Sequence, residues 1–381
     1  MTHTNKSTPP VLKNTTKTHA LSLSIDLTAV RQNYRTIQQH LATDAECAAV
    51  VKADAYGMGM EECSRIFRSE GCRSFFVASL DEGLALRDQH ADIRIFILHG
   101  LNGFQTEQQL EPYITHNLIP VLNSFADITL WHAAAASADT KLPCLIHVDT
   151  GMHRLGISSE EWSHFQEQKN NFPYLNILYV MSHLACADDL SSEMTEEQYQ
   201  RFQDICAKAP QTHASFANSA GLFLDQKMHF DLVRPGAALY GLQLHDKQPL
   251  MQPVIHLDAP ILQIQALKPS DTVGYGATYQ SDSNLVIATI PLGYAQGYLR
   301  SSSNQGAVFL HDTKCPVIGR VSMDLASIDI TSIAHKTKLS DRVEILGHSQ
   351  TADALAQNAG TIGYEILTGL GKIKPRQYIR S

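Results

Sequence analysis

Short apolar runs punctuate the chain between about residues 45 and 240: AAVVK (48–52), FFVAS (75–79), RIFIL (94–98), LIPVL (118–122), CLIHV (144–148), LYVMSH (178–183), HASFAN (213–218) and DLVR (231–234). Most are bounded by turn or capping residues and lack strict alternation of apolar and polar positions, as expected of parallel strands buried on both faces. The segments between them carry helix signals. Leu27, Val30, Tyr34, Ile37 and Leu41 recur at helical spacing behind Asp26, a candidate N-cap. Ser79-x-x-Glu82 and Ser158-x-x-Glu161 read as capping boxes, and Gly71 as the residue that ends a helix. Eight strand–helix units over roughly 200 residues predict a (β/α)8 barrel, which typically takes about 250. A doubly wound open sheet satisfies the same pattern, because strand order is not visible in a sequence.

After Pro253 the pattern changes. VIHLDAPILQIQAL, NLVIATI, GAVFL, RVSMDLASIDI and DRVEIL alternate or cluster β-branched residues between Gly, Pro, Asp and Ser, and only 351–359 (TADALAQNA) reads as helical. The expected organisation is a disordered polar tail over 1–20, an α/β barrel over 21–245, and a mainly β domain over 254–381. The alternating LSLSI at 21–25 could pair with that second domain.

Composition narrows the function classes. A formal net charge of -8 argues against nucleic acid, since a binder of phosphate backbones needs a basic surface. No apolar run approaches the ~20 residues needed to cross a bilayer. The first twenty residues contain Lys but no apolar core, so they do not read as a secretory signal. Seven scattered cysteines without CxxC spacing point to reduced thiols and a cytoplasmic protein.

In a (β/α)8 barrel the chemistry sits at the C-terminal ends of the strands. Lys52 ends the first run, where desolvation would depress its amine pKa and suit Schiff-base chemistry; a lysine snorkelling at the rim is the plainer alternative. Ser219-Ala220-Gly221 and Arg234-Pro235-Gly236 follow the last two runs, where barrels often seat a phosphate on backbone N–H groups; ordinary turn chemistry would look the same. His183 ends the sixth run and has a core-histidine alternative. Arg234 would be costly to bury without an acceptor. His147, Asp149 and His153 form H-x-D-x₃-H, but three ligands with no completing pair make a poor metal site, and none is expected.

Together these residues resemble the alanine racemase family of pyridoxal-phosphate enzymes of fold type III. The resemblance is carried by VVKADAYGMG (50–59), HVDTGMHRLG (147–156), SHLACAD (182–188), NSAG (218–221), VRPGAALYGL (233–242), VGYGATY (273–279), IPLGYAQGY (290–298), GRVSMD (319–324) and GYEILTGLG (363–371), all in family order. It implies that Lys52 binds the cofactor and acts as base on one face of the substrate. Tyr275 would be the base on the other face, donated by the partner subunit of a homodimer. Tyr56, Ser219, Gly236 and Ala237 would hold the phosphate. Arg234 would hydrogen-bond the pyridine nitrogen, with His183 supporting the ring. Arg154 and the backbone of Met323 would bind the carboxylate of alanine, with Asp324 behind them. D-alanine for peptidoglycan is the implied product.

Three departures stand out. The position of His147 is usually a carbamylated lysine whose negative charge orients the arginine matching Arg154. A histidine cannot carry that carbamate, which leads us to expect a chloride or a nearby carboxylate beside His147 and Arg154, with a pH response near the ordinary histidine value of about 6.5. Met58 replaces a common histidine, a change expected to be peripheral. Lys372 stands where an aromatic residue used on the phosphate is expected. A racemase of broader specificity and a fold-type III amino-acid decarboxylase are the competing readings, and the VGYGATY and VRPGAALYGL segments fit the decarboxylase poorly.

Overall fold

The computed structural model describes residues 20–101 and 103–380. The expected tail lies, up to residue 19, outside the described residues. The chain divides into two compact units: residues 24–255 with 352–356 and 362–381, and residues 256–351 with 357–361 and the segment up to Leu23.

In the first unit, β1 (Ser22–Asp26) leads into a helix over Leu27–His40. Asp26 caps that helix by accepting hydrogen bonds from Thr28 N at 2.8 Å and Ala29 N at 3.0 Å. Leu27, Val30, Tyr34 and Ile37 are buried as their spacing predicts, each contributing roughly 1.5–3 kcal/mol. Leu41 instead closes the helix in extended backbone. Ser158 and Glu161 form a full capping box, each side chain bonded to the other's backbone N–H.

The barrel strands are β2 (Glu46–Cys47), β3 (Ala49–Val50), β4 (Ser74–Val77), β5 (Arg94–Ile97), β6 (Leu118–Leu122), β7 (Leu142–His147), β8 (Leu175–Met181), β9 (His213–Ser215) and β10 (Leu232–Val233). All pair in parallel and in sequence order, and β10 returns onto β2, with Leu232 opposite Glu46. β2 and β3 are one strand interrupted at Ala48, whose N–H donates to Val233 O at 2.9 Å, so eight strands close the ring. That closure settles the architecture: a (β/α)8 barrel, not an open sheet. At its N-terminal end Glu46 pairs with Arg94, which also donates to Tyr179 Oη at 3.1 Å, while Ser74 donates to Glu46 at 2.7 Å. This polar plug leaves the opposite end of the strands for chemistry.

The second unit is antiparallel. β12 (Gln263–Leu267), β15 (Leu285–Ile290), β18 (Ala326–Asp329), β17 (Thr313–Ile318), β16 (Ala307–Leu310), β19 (Arg342–Leu346) and β11 (Ile255–Pro260) lie side by side in that order. Val273, Ile287 and Ile318 form part of its core. β13 (Thr272–Val273) and β14 (Tyr279–Gln280) form a separate hairpin. The helix expected over 351–359 is present as Ala352–Ala359, but a second helix, Gly363–Leu370, was not expected, because glycines at 363 and 369 mask its buried Ile366, Leu367 and Leu370. The Gly363–Leu370 helix and the last strand, β20 (Arg376–Ile379), both belong to the barrel unit. No helix among the described residues is long and apolar enough to cross a membrane.

Candidate active site

Lys52 follows β3 at the C-terminal mouth of the barrel. Burial first, and then the charge of Arg154, lower its amine pKa, with Glu82 opposing. Beyond it the backbone does something the sequence does not announce. Ala53, Asp54, Ala55 and Tyr56 all have φ between 53° and 56°, a left-handed turn built without glycine. Such residues cost roughly 1–2 kcal/mol each, so the surroundings must hold them. Glu82 does so by accepting from Ala53 N and Ala78 N, both at 2.7 Å. The Ser79–Glu82 capping box is therefore only half formed: Ser79 Oγ accepts from Glu82 N at 3.4 Å, but the carboxylate is diverted to the turn. Asp54 completes the clamp, accepting from Met60 N at 2.8 Å and pairing with Arg376 at 2.6 Å. Glu82→Ala should remove two charge-assisted hydrogen bonds and lower stability by about 2–3 kcal/mol, measured as a reduced urea midpoint at unchanged slope.

Arg234, after β10, is only 4% exposed. It donates to Ser215 Oγ at 2.5 Å, Ser182 O at 2.6 Å, Phe216 O at 3.3 Å and His183 Nδ1 at 3.4 Å. Among the described residues none of these partners is a carboxylate. Burial lowers its pKa to about 9, still above neutrality, so the guanidinium remains charged. Burial, then Arg234 and the other cations, hold His183 well below the usual histidine range, which leaves it neutral and able to accept from Arg234.

Beside them the loop after β9 meets the loop after β10. Ser219 Oγ accepts from Gly236 N at 2.8 Å and from Ala238 N at 3.3 Å, which leaves its own hydrogen to donate. A Cβ at Gly236 would come within 2.3 Å of Tyr56 Oη, so only glycine leaves the cradle open. Ala237 is buried next to it. Tyr56 stacks on Tyr240, with centroids 4.9 Å apart, and leans on Tyr364 at 6.0 Å. Aromatic rings beside the cradle are thus supplied by Tyr240 and Tyr364, while Lys372, expected to substitute for one, is exposed. Met58 is fully buried.

His147 ends β7. Its Nδ1 lies 2.9 Å from Asn123 Oδ1. Burial, then Arg234, with Arg154 adding and Asp149 opposing, push its pKa down to about 4, so the response expected near 6.5 moves to more acid pH. Asp149 Oδ1 accepts from Gly151 N, Met152 N and His153 N at 2.9, 2.9 and 3.2 Å, shaping the loop that carries the exposed Arg154. Asp149 Oδ2 also pairs with His153 Nδ1 at 3.0 Å, and among the described residues no three His, Cys, Asp or Glu side chains form a metal site.

The remaining predicted residues belong to the second unit. Tyr275 sits at the tip of the β13–β14 hairpin, 74% exposed, between Gly274 and Gly276 at φ 72° and 70°. A Cβ at Gly276 would meet the Arg320 guanidinium at 3.0 Å, so a cation lies against the tyrosine turn. Met323 and Asp324 are exposed in a turn where Ser322 N donates to Leu325 O at 3.0 Å. Met323 O accepts from Ala295 N at 2.8 Å. Sequence reasoning did not single out Asn123, Ser182, Ser215, Tyr364 or Arg320, and it took Glu82 only as a helix cap. For Asn123 and Ser182 the signal was a polar residue just past a barrel strand; the others offer none of that kind.

Residues 25–244 match the family described as "Alanine racemase, N-terminal domain", and residues 254–378 match "Alanine racemase, C-terminal domain". The chain is 42% identical over 361 residues to alanine racemase of Rickettsia canadensis, covering 94% of this chain and 99% of that one. It is 40% identical to the Brucella suis alanine racemase, over 94% and 93% of the two chains. Among solved structures, alanine racemase from Bartonella henselae with covalently bound pyridoxal phosphate superposes with a TM-score of 0.89 at 37% identity, covering 94% of this chain and 99% of that one. The chain belongs to the alanine racemase family.

Proposed function

We propose that the chain interconverts L- and D-alanine by two-base proton transfer at Cα, with pyridoxal phosphate held on Lys52. The observation that carries this reading is Lys52 itself, a lysine at the mouth of a barrel whose amine pKa is lowered by burial and then by Arg154. The surrounding donor set suits the cofactor. A buried cation whose partners among the described residues are neutral, Arg234, stands near a cradle made by Ser219, Gly236, Ala237 and Tyr56. When bound, pyridoxal phosphate supplies an electron sink at the substrate's Cα.

The protein's own residues do the rest. Lys52 Nζ, with its pKa lowered, accepts or returns a proton on one face. Tyr275 Oη serves the opposite face, the one that bears the hydrogen of L-alanine. Arg234 stays charged and hands no proton to the ring nitrogen, which limits delocalisation and disfavours transamination. His183 holds Arg234 in place. Arg154 and the Met323 backbone take the substrate carboxylate, with Asp324 behind. Tyr275 and Met323, exposed on their own unit, would complete the site of the other subunit in a homodimer. The working division is then a cofactor-binding barrel over 21–245 and a β-rich domain over 254–381. Seven free cysteines support a cytoplasmic protein, and D-alanine for the cell wall is the product the proposed reaction would supply.

Polarimetry on single L-amino acids, with carbon dioxide followed in parallel, tests the reading. Loss of rotation from L-alanine without gas is expected. Gas release would mean a decarboxylase, and equal loss from many amino acids a broad racemase.

A neutral His147 brings Arg154 one acceptor and no negative charge, so we also propose that chloride completes its surroundings. At constant ionic strength the KM for alanine should fall as chloride replaces a bulkier anion. His147→Lys should make activity respond to bicarbonate. Indifference in both measurements would remove chloride from the account.

A further inference from the structure

Asn123 stands just past β6, at the mouth of the barrel, and every polar atom of its side chain is committed. Its Nδ2 donates to Leu98 O and to Val121 O, each at 3.0 Å. Its backbone N–H is tied to Asp127 Oδ2 at 3.0 Å. With both amide hydrogens spent on carbonyl oxygens, the amide has one workable orientation; the flipped one would set oxygen against two oxygens. Oδ1 therefore faces His147 Nδ1 at 2.9 Å, and that nitrogen must carry the hydrogen.

The consequence lies at the other end of the ring. A neutral imidazole protonated at Nδ1 has a bare lone pair at Nε2. The charged or titratable groups acting on His147 are Arg234, Arg154 and Asp149, and His147 in turn acts on His183. Asp149 is spent on backbone N–H groups and on His153 Nδ1, 3.0 Å from its Oδ2. The loop carrying Arg154 is pinned to His147: Ile157 N donates to His147 O at 2.9 Å, and a Cβ on Gly156 would touch the ring at 3.2 Å. We infer that Asn123 is a positioning residue, locking His147 in the Nδ1–H tautomer so that Nε2 accepts a hydrogen bond from Arg154 and fixes how that guanidinium faces the substrate. The inference rests on the reading that Arg154 binds the substrate carboxylate. It makes a neutral Asn–His pair, in place of a fixed anion, the device that orients the arginine.

The test uses the holoenzyme labelled with ¹⁵N-histidine. Long-range ¹H–¹⁵N correlation, with His147 assigned from His147→Gln, should show Nδ1 protonated and Nε2 bare between pH 8 and 5.5. Asn123→Asp places a carboxylate on Nδ1 at the cost of both bonds to Leu98 O and Val121 O, a cost independent of pH that the urea midpoint reads; the ring should titrate within that range. Its KM for alanine should then rise ~10-fold on the acid side and return towards the wild-type value at alkaline pH, with kcat changing less. His147→Phe, which keeps a ring and lacks the acceptor, should raise KM at every pH. A merely structural Asn123 would give a loss independent of pH. Protonation at Nε2 in the wild type, or unchanged KM in both variants, overturns the proposal. Should alanine not be turned over at all, acetate affinity read from the cofactor's absorbance replaces KM, so failure of the racemase reading stays distinct from failure of this one.

Discussion

Tyr275→Phe is expected to cut Cα–hydrogen exchange from L-alanine by about 10²–10⁴-fold while leaving exchange from D-alanine far less affected. The asymmetry follows from assigning one base to each face. Phenylalanine keeps the ring on its hairpin and removes only the oxygen that accepts the proton, so the fold should not change. The Arg320 guanidinium lies against the Gly274–Gly276 turn that carries the ring. Solvent deuterium exchange, followed separately for each enantiomer, measures the effect. Equal losses in both directions would make Tyr275 structural, or leave one base serving both faces. Mixing this variant with Lys52→Ala adds a test of assembly. If Tyr275 acts in the other subunit, mixed dimers regain one intact site, whereas two inactive parents stay inactive if it acts in its own.

Lys52→Ala should abolish racemisation in both directions, a loss at least as large, because it removes both the cofactor's attachment and one of the two bases. The wild-type protein should be yellow. Borohydride reduction followed by peptide mass spectrometry should place the pyridoxyl group on Lys52. A label on another lysine would sink the assignment, and a colourless variant that still racemises alanine would sink the mechanism.

The barrel was legible because burial on both faces leaves a plain mark: LIPVL is wholly buried along β6, as its composition demands. What stayed hidden depends on long-range geometry. Glu82 looks like half of a capping box, since nothing local says its carboxylate will reach Ala53 N across the mouth. Ala53 and Ala55 have no left-handed preference to betray the turn, and one Asp between them is too weak a mark; Asp54's bond to Arg376, far along the chain, helps impose it. Asn123 reads as an ordinary polar residue before a helix until β7 brings His147 to it. For Lys52, Arg154, Arg234 and Tyr275 the resemblance supplied roles that spacing alone left open, and the structure adds the surroundings on which those roles would depend.

The most direct test of the two-base account is to follow the hydrogen itself. L-alanine is incubated with the holoenzyme in D₂O, and the first D-alanine formed is isolated for mass and NMR analysis. The account predicts deuterium at Cα of that product from the earliest turnovers, because the proton taken by Tyr275 is not the one Lys52 delivers. D-alanine that keeps the hydrogen of its parent molecule would mean a single base acting on both faces, and would contradict it.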